Sequence, residues 1–131
     1  MTTPSDSDRY VVDSSGWIEY LGSGPKAERF AQYLETQAVL LLPSIVVYEV
    51  HKKLCREQGT RLATEFLSQA FSFGDRLIPL TLELAILASQ TSSDNGLSMA
   101  DAIIYATARH HKAQLISSDG HFANLPKVTL L

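Results

Sequence analysis

Short apolar segments alternate along the chain with longer segments whose apolar residues recur at helical spacing. The short segments are bounded by turn-forming residues, a pattern typical of buried β-strands. One of them contains Pro79, which has no backbone N–H to donate, so this strand is expected at an edge of the sheet. The predicted strands are residues 9–12, 39–42, 77–80, 114–117 and 128–131.

The longer segments predict helices that each present an apolar face to a core. Ser44 and Thr60 are the predicted N-caps of two of these helices, because a side-chain hydroxyl can accept a hydrogen bond from the first turn. The predicted helical segments are residues 17–21, 27–34, 44–59, 60–71 and 99–109, with a further helix that starts at residue 82.

The helix that starts at residue 82 is expected to bury Leu82, Ala85 and Ile86 and to be followed by a polar loop at residues 92–96. The helix at residues 99–109 is apolar nearly all round, which predicts that it is buried. The alternation of strands and helices predicts an α/β fold, with helices on both faces of a central, mostly parallel sheet of four to five short strands.

Four acidic residues adjoin the apolar segments, where a carboxylate is costly unless it is paired, hydrogen-bonded or bound to metal. Asp13 and Asp119 directly follow predicted strands, at the edge where ligands of open α/β sheets collect. Glu49 and Asp101 lie in early turns of helices that would leave the same edge. Two carboxylates about 4 Å apart repel by roughly 4 kcal/mol at a dielectric of about 20. Convergence of all four therefore predicts a site for Mg²⁺ or Mn²⁺, which prefer oxygen ligands.

Each of these acids also has a purely structural interpretation. Asp13 can cap the helix that begins at Ser14, and Ser98 with Asp101 matches a capping box. A carboxylate that caps a helix can still bind an ion, so the two roles are compatible for one residue.

The other two acids have structural interpretations of a different kind. Glu49 can form an exposed ion pair with Lys53 one turn further along the helix, although its apolar neighbours favour partial burial. Asp119 with Gly120 is an ordinary turn dipeptide. Four such coincidences at equivalent positions of the predicted sheet are harder to explain than one shared site.

Composition bounds the class of protein. The chain has 131 residues, 45% of them hydrophobic, which fits a flexible tail at residues 1–8 and a single domain at residues 9–131. A net charge of −3 means that a polyanion would have to be held by a local basic patch or by metal. Cys55 is the single cysteine, and no leader or membrane-spanning pattern is evident, so a soluble cytoplasmic protein is expected.

Several common kinds of site find no support in the sequence. There is no Walker loop, no Gly-x-Gly-x-x-Gly and no Gly-x-Ser-x-Gly elbow. The histidines have no zinc-like spacing with the cysteine. His121 is close to the acidic set only along the sequence, through Asp119.

Four segments together resemble the PIN-domain family, and in particular the VapC-type toxins of bacterial toxin–antitoxin pairs. The resemblance covers nearly the whole chain, and the order and spacing of the segments make it specific. The segments are residues 11–20 (VVDSSGWIEY), 43–50 (PSIVVYEV), 97–108 (LSMADAIIYATA) and 115–122 (LISSDGHF).

The resemblance implies a PIN-like three-layer α/β/α sandwich and an endoribonuclease that depends on Mg²⁺ or Mn²⁺. It implies that Ser14 and Ser117 support the acidic site. It further implies a homodimer and inhibition by a cognate antitoxin protein. The residues that it assigns to catalysis and metal binding are Asp13, Glu49, Asp101 and Asp119.

Hydrolysis of RNA also needs cationic support, for which Lys52, Lys53 and Arg56 are the candidates beyond Glu49 on the same predicted helix. An Asp-nucleophile phosphatase would usually have a second Asp where Ser15 stands, and residues 117–119 lack the lysine of a phospho-receiver domain. The alternative that stays open is a non-catalytic RNA- or partner-binding module with a structural Mg²⁺ site.

Overall fold

A computed structural model describes residues 8–36 and 39–131, so all but the last residue of the tail predicted at residues 1–8 lies outside the described part of the chain. The five strands in this described part form one parallel sheet in the order β3-β2-β1-β4-β5, which confirms the predicted α/β fold. The strands are β1 Arg9–Val12, β2 Val39–Pro43, β3 Leu77–Ile78, β4 Gln114–Ser117 and β5 Val128–Leu130. The helices are α1 Ser14–Leu21, α2 Ala27–Leu34, α3 Ser44–Glu57, α4 Thr60–Phe71, α5 Leu82–Asn95 and α6 Met99–His110.

The centre of the sheet is β1, which pairs with β2 on one side and with β4 on the other. Val11 and Val12 are both fully buried. Because successive side chains of a strand point to opposite faces, this burial shows that both faces of the sheet are covered. The predicted edge position of the strand around Pro79 is also confirmed, since β3 is the outer strand beside β2.

Two features fix the position of the helices that flank the sheet edge. Every residue of α6 from Ala102 to Ala108 is buried, as its apolar sequence predicts. At Gly16 in α1, a Cβ atom would lie 2.5 Å from both the Phe30 ring of α2 and the Val12 side chain of β1. Only glycine allows α1 to approach the sheet this closely.

The N-caps predicted at Ser44 and Thr60 are both wrong. The N-cap of α3 is Pro43, and the Ser44 hydroxyl instead accepts a 3.2 Å hydrogen bond from the backbone N–H of Leu80. The N-cap of α4 is Gly59, at a φ of 93°, and Thr60 is the first residue of the helix. In both places the chain turns before the hydroxyl residue, so the side chain is already inside the helix.

The prediction for α5 is wrong in its inward face and in its end. Leu84 and Ala88 are buried, whereas Leu82 and Ile86 are 79% and 52% exposed and Ala85 is also exposed. The helix is capped by the hydroxyl of Thr81, which accepts from the Leu84 N–H. It continues as far as Asn95, through most of the loop predicted at residues 92–96. Its C-cap is Gly96 in the left-handed conformation, at a φ of 66°.

The strand predicted at residues 77–80 is also shorter in the structure, where it covers Leu77–Ile78. None of the helices in residues 8–36 and 39–131 combines the length and the apolar character that crossing a lipid bilayer requires.

Candidate active site

Two neighbouring strands deliver acidic residues to the carboxyl edge of the sheet. Asp13 directly follows β1, and its backbone N–H donates a 3.1 Å hydrogen bond to the carbonyl oxygen of Ile116 in β4. Asp119 comes two residues after the end of β4. Because β1 and β4 are parallel neighbours, both carboxylates lie at the same edge.

The carboxylate of Asp13 is almost completely buried, with 4% of the residue exposed. Its Oδ1 accepts a 3.0 Å hydrogen bond from the Gly16 N–H, so Asp13 is the N-cap of α1. The Ser15 hydroxyl donates to both carboxylate oxygens, at 2.9 and 3.0 Å. The buried Ser117 hydroxyl donates to Oδ2 at 2.6 Å. A helix cap and a site carboxylate are therefore combined in one residue.

The environment of Asp13 opposes ionisation. Burial raises the pKa of its carboxyl above the ordinary value of 3.8. The negative charge of Asp119 raises this pKa further. Hydrogen bonds from Ser117, Gly16 and Ser15 act in the opposite direction and lower it, but burial outweighs them. The ionised form of Asp13 would be favoured by any positive charge that binds in front of it.

Asp101, Asp119 and His121 form a compact group of possible metal ligands. The Nδ1 atom of His121 lies 3.2 Å from Asp101 Oδ2 and 3.2 Å from Asp119 Oδ1. One ligand atom from each of the three residues lies within 4.8 Å of the others. Asp119 is oriented by its own turn, because its Oδ1 accepts a 2.9 Å hydrogen bond from the His121 N–H. Two carboxylates and an imidazole at this spacing fit a divalent cation.

Glu49 reaches the site from α3 and is held by α1. Its Oε1 accepts a 2.5 Å hydrogen bond from the hydroxyl of Ser14. The exposed ion pair considered for Glu49 and Lys53 does not form. The Nζ atom of Lys53 lies 3.8 Å from Oε2 of Glu57 instead. Ser14 thus adjoins Asp13 in the sequence and contacts Glu49, which links β1 and α1 to α3.

All four predicted acidic residues line one open cleft with a volume of about 340 Å³. The cleft lies at the carboxyl edge of the sheet and also contains the basic residues predicted for RNA contact. Its lining residues are Asp13, Ser14, Ser15, Ile18, Tyr48, Glu49, Lys52, Lys53, Arg56, Asp101, Ile104 and Asp119. Ser117 lies beneath this surface, where its hydroxyl accepts a 2.9 Å hydrogen bond from the Asp119 N–H.

The structural interpretation holds for Asp119 but not for Asp101. Asp119 does cap the short 3-10 helix Gly120–Phe122. Ser98 is the N-cap residue of α6, but its side chain makes no capping hydrogen bond, so Asp101 belongs to no complete capping box. Asp101 is instead partly buried at the cleft, within reach of His121.

Sequence reasoning missed three side chains of the site. The His121 imidazole contacts two of the acids, whereas the sequence places it near them only through its neighbour Asp119. Ser15 donates to Asp13, which its position two residues further on could have suggested. Tyr48 is 58% exposed in the cleft, and the Lys52 ammonium lies 5.6 Å from the centre of its ring.

The family assignment follows from comparison with known proteins. Residues 10–128 match the sequence profile of the PIN domain, so the chain belongs to the PIN domain family. Comparison with curated proteins finds no match.

Several solved structures share this fold. A toxin–antitoxin complex from Klebsiella pneumoniae aligns with a TM-score of 0.72 and 24% identity, covering 92% of this chain and 95% of that chain. VapC20 of Mycobacterium tuberculosis, a sarcin–ricin loop cleaving toxin, aligns at 0.71 with 22% identity, covering 91% and 96%. FitAcB from Neisseria gonorrhoeae aligns at 0.66 with 21% identity, covering 86% and 88%. At these identities the likeness establishes the fold.

Proposed function

We propose that this protein is a divalent-metal-dependent endoribonuclease and the toxin of a toxin–antitoxin pair. The observation that carries the proposal is the cleft at the carboxyl edge, in which four acidic residues and three basic residues line one surface. Acids alone would repel the phosphates of RNA, and bases alone would bind RNA without a site for a metal. Their combination suits a reaction in which a cation neutralises the acids while the bases hold the polyanion.

Asp101 and Asp119 are the proposed principal metal ligands, with Asp13 and Glu49 completing the acidic set. The donor set favours Mg²⁺ or Mn²⁺, because carboxylate oxygens suit hard cations and an imidazole nitrogen is also acceptable to Mn²⁺. When bound, such an ion would supply positive charge that offsets the repulsion among the acids and stabilises charge that develops on the phosphate.

The other residues of the cleft are proposed to hold the acids in place or to bind RNA. Ser117 holds Asp13 and the Asp119 backbone together, and Ser14 holds Glu49. Lys52, Lys53 and Arg56 are proposed to bind RNA phosphates, since they lie on α3 and line the same cleft. The exposed ring of Tyr48, next to Lys52, is suited to stacking on an RNA base.

The proposal extends to partners. The solved structures of similar fold include a toxin–antitoxin complex from Klebsiella pneumoniae and DNA-bound VapBC from Salmonella typhimurium, and VapC20 is a toxin that cleaves the sarcin–ricin loop. We infer a cognate antitoxin for this chain, whose basic or bulky segment would fill the acidic cleft. We also propose that the chain is a homodimer that acts on RNA in the cytoplasm.

The experiment is RNA cleavage by purified protein with Mg²⁺ or Mn²⁺, comparing wild type with Asp101→Asn. The matched control is Asp94→Asn, which removes an exposed carboxylate on α5. We expect the cleavage activity of Asp101→Asn to fall by more than the roughly 10–100-fold that is typical when a residue that only orients a metal ligand is replaced. Wild-type cleavage by Asp101→Asn, or undiminished cleavage after chelation of the metal, would contradict the proposal. Intact RNA binding without any cleavage by the wild type would favour the non-catalytic binding module.

A further inference from the structure

A second cluster of charged residues lies at the end of the sheet opposite the acidic cleft. Arg9 is the first residue of β1, Lys112 comes two residues before β4, and Lys127 directly precedes β5. These three strands are neighbours and run in parallel, so their amino ends meet at one edge. His110 and His111, at the end of α6, reach the same edge. We call Arg9, His110, His111, Lys112 and Lys127 the basic end.

The basic end is concave. Two adjoining clefts, of about 330 and 490 Å³, share Asp8, Arg9 and Lys112 in their linings. Among the described residues that line them, Asp8 is the one acidic side chain, and its Oδ2 accepts a 3.0 Å hydrogen bond from the Tyr10 hydroxyl. Gln114 and Thr129 add neutral polar groups, joined to each other by a 2.9 Å hydrogen bond. The surface is therefore rich in donors and positive charge, although the whole chain has a net charge of −3.

The backbone of the two lysines is unusual. Lys112 and Lys127 both adopt the left-handed conformation, with φ values of 55° and 62°. Glycine or asparagine adopts this conformation at less cost than a long side chain does. The turns before β4 and β5 therefore do not themselves call for lysine. Two lysines at strained positions of adjacent turns are better explained by a requirement for their charge.

The pKa of His111 reflects both its burial and the positive groups near it. Burial lowers the pKa of His111, and the charges of His110 and Arg9 lower it further. The dipole of α6 accounts for basic residues in its own last turn, such as His110. It does not account for Arg9 and Lys127, which come from separate parts of the chain.

We propose that the basic end binds the phosphate backbone of RNA, at a site separate from the acidic cleft. The choice of RNA rests on the proposed function. The strand β4 has four residues and separates the two ends by about 13 Å along its axis. An RNA that contacts both must run over the side of the domain, so the basic end selects long or folded RNA over short fragments. Contacts to phosphates would position such an RNA without reading its sequence.

The test is binding of a labelled, folded RNA by fluorescence anisotropy at several salt concentrations, in a chelator that prevents metal-dependent cleavage. The key variant is K112N/K127N, because asparagine favours the left-handed backbone and only the charge is lost. K112R/K127R retains the charge. The control R29Q/R61Q removes two charges from exposed positions on α2 and α4.

We expect K112N/K127N to bind RNA roughly tenfold more weakly at low salt and to reduce the slope of log affinity against log salt by about 1.4 to 1.8. K112R/K127R should bind like the wild type. The proposal would be overturned if K112N/K127N kept the wild-type slope, or if R29Q/R61Q lost as much RNA affinity as K112N/K127N. Tighter binding of duplex DNA than of RNA, with the same dependence on the lysines, would overturn the choice of RNA.

One further measurement makes the outcome independent of the variants. In NMR spectra of the wild-type protein, the amide chemical shifts of Lys112 and Lys127 should change when RNA is added. Changes confined to residues of the acidic cleft would overturn the proposal. Because binding is measured without divalent metal, failure of the wild type to cleave RNA would contradict the proposed nuclease and leave the result at the basic end intact.

Discussion

The hydroxyl of Ser117 donates a 2.6 Å hydrogen bond to the Oδ2 of Asp13, across a sequence separation of 104 residues. The same hydroxyl accepts from the backbone N–H of Asp119 at 2.9 Å. One fully buried oxygen therefore fixes the positions of two acidic residues that follow neighbouring strands. The carboxyl edge of the sheet is held together by this contact as well as by backbone pairing.

Replacement of Ser117 by alanine should destabilise the protein. A hydrogen bond to a charged group contributes about 1.5–3 kcal/mol, and its loss leaves a buried carboxylate with one donor fewer. We expect Ser117→Ala to lower the free energy of unfolding by about this amount in urea at neutral pH. Ser118→Ala, one residue further on and partly exposed, is the matched control. Equal stability of Ser117→Ala and the wild type would show that the contact contributes little.

Asp13 should make stability depend on pH in a predictable direction. Its pKa is raised in the folded state, chiefly by burial, above the ordinary value of 3.8. The stabilisation from this group is therefore present below that ordinary value and is lost as pH rises through the higher, folded-state pKa. Without divalent metal, Asp13→Asn should gain stability relative to the wild type as pH rises from about 3 to 7.

Urea unfolding at a series of pH values, in a chelator, measures this difference. Asp94→Asn, on the exposed surface of α5, should show no comparable trend. A difference between Asp13→Asn and the wild type that shrinks with rising pH would contradict the assigned direction. Asp13→Asn should nevertheless lose RNA cleavage, so that greater stability and lower activity occur in the same protein.

Gly16 should tolerate no side chain. An added Cβ would lie 2.5 Å from Phe30 and from Val12, both fully buried, so neither neighbour can move away. Overpacking of this kind costs about 1–3 kcal/mol, which exceeds the roughly 0.5–1 kcal/mol that alanine gains over glycine in a helix. Gly16→Ala should therefore unfold at lower temperature and cleave RNA more slowly, because Asp13 caps the displaced helix.

Gly120→Ala is the matched control for this substitution. Among the described residues, no heavy atom outside its two chain neighbours lies within 4 Å of the Cβ that it would add, although the position is next to Asp119. Its melting temperature should stay close to that of the wild type. A larger loss in Gly120→Ala than in Gly16→Ala would contradict the packing argument.

The basic residues of α3 should affect RNA binding more than the chemical step. Lys52→Gln and Arg56→Gln should each raise the KM for RNA and reduce the salt dependence of binding by about 0.7 to 0.9 in the log–log slope. Arg61→Gln, on the exposed surface of α4, is the control. An unchanged KM with a large fall in kcat would show that these residues act on the reaction itself.

The carboxyl ends of β1 and β4 could be predicted because in each an apolar run is followed closely by an acidic residue. The apolar run before Asp13 and the one before Asp119 fix where β1 and β4 end, and parallel strands bring their carboxyl ends to one edge. The same reasoning failed for α5, whose first residues are apolar on several faces. The sequence predicts Leu82, Ala85 and Ile86 in the core, but tertiary packing buries Leu84 and Ala88.

Details of the site depend on backbone geometry that no sequence pattern specifies. His121 contacts Asp101 only because a short 3-10 helix after β4 turns its side chain back towards α6. The Ser44 hydroxyl, already inside α3, accepts a hydrogen bond from the backbone of Leu80, which is 36 residues away. Contacts of this range follow from the folded arrangement of elements rather than from local preference.

Binding of a divalent ion in the cleft is tested most directly by anomalous diffraction from crystals soaked in Mn²⁺, at a concentration that supports cleavage. We expect an anomalous peak close to the carboxylates of Asp101 and Asp119, which would hold the ion. Asp101→Asn crystals treated in the same way should show a weaker peak or none. A wild-type cleft without a peak, in crystals of protein that cleaves RNA with Mn²⁺, would contradict the proposed shared metal site.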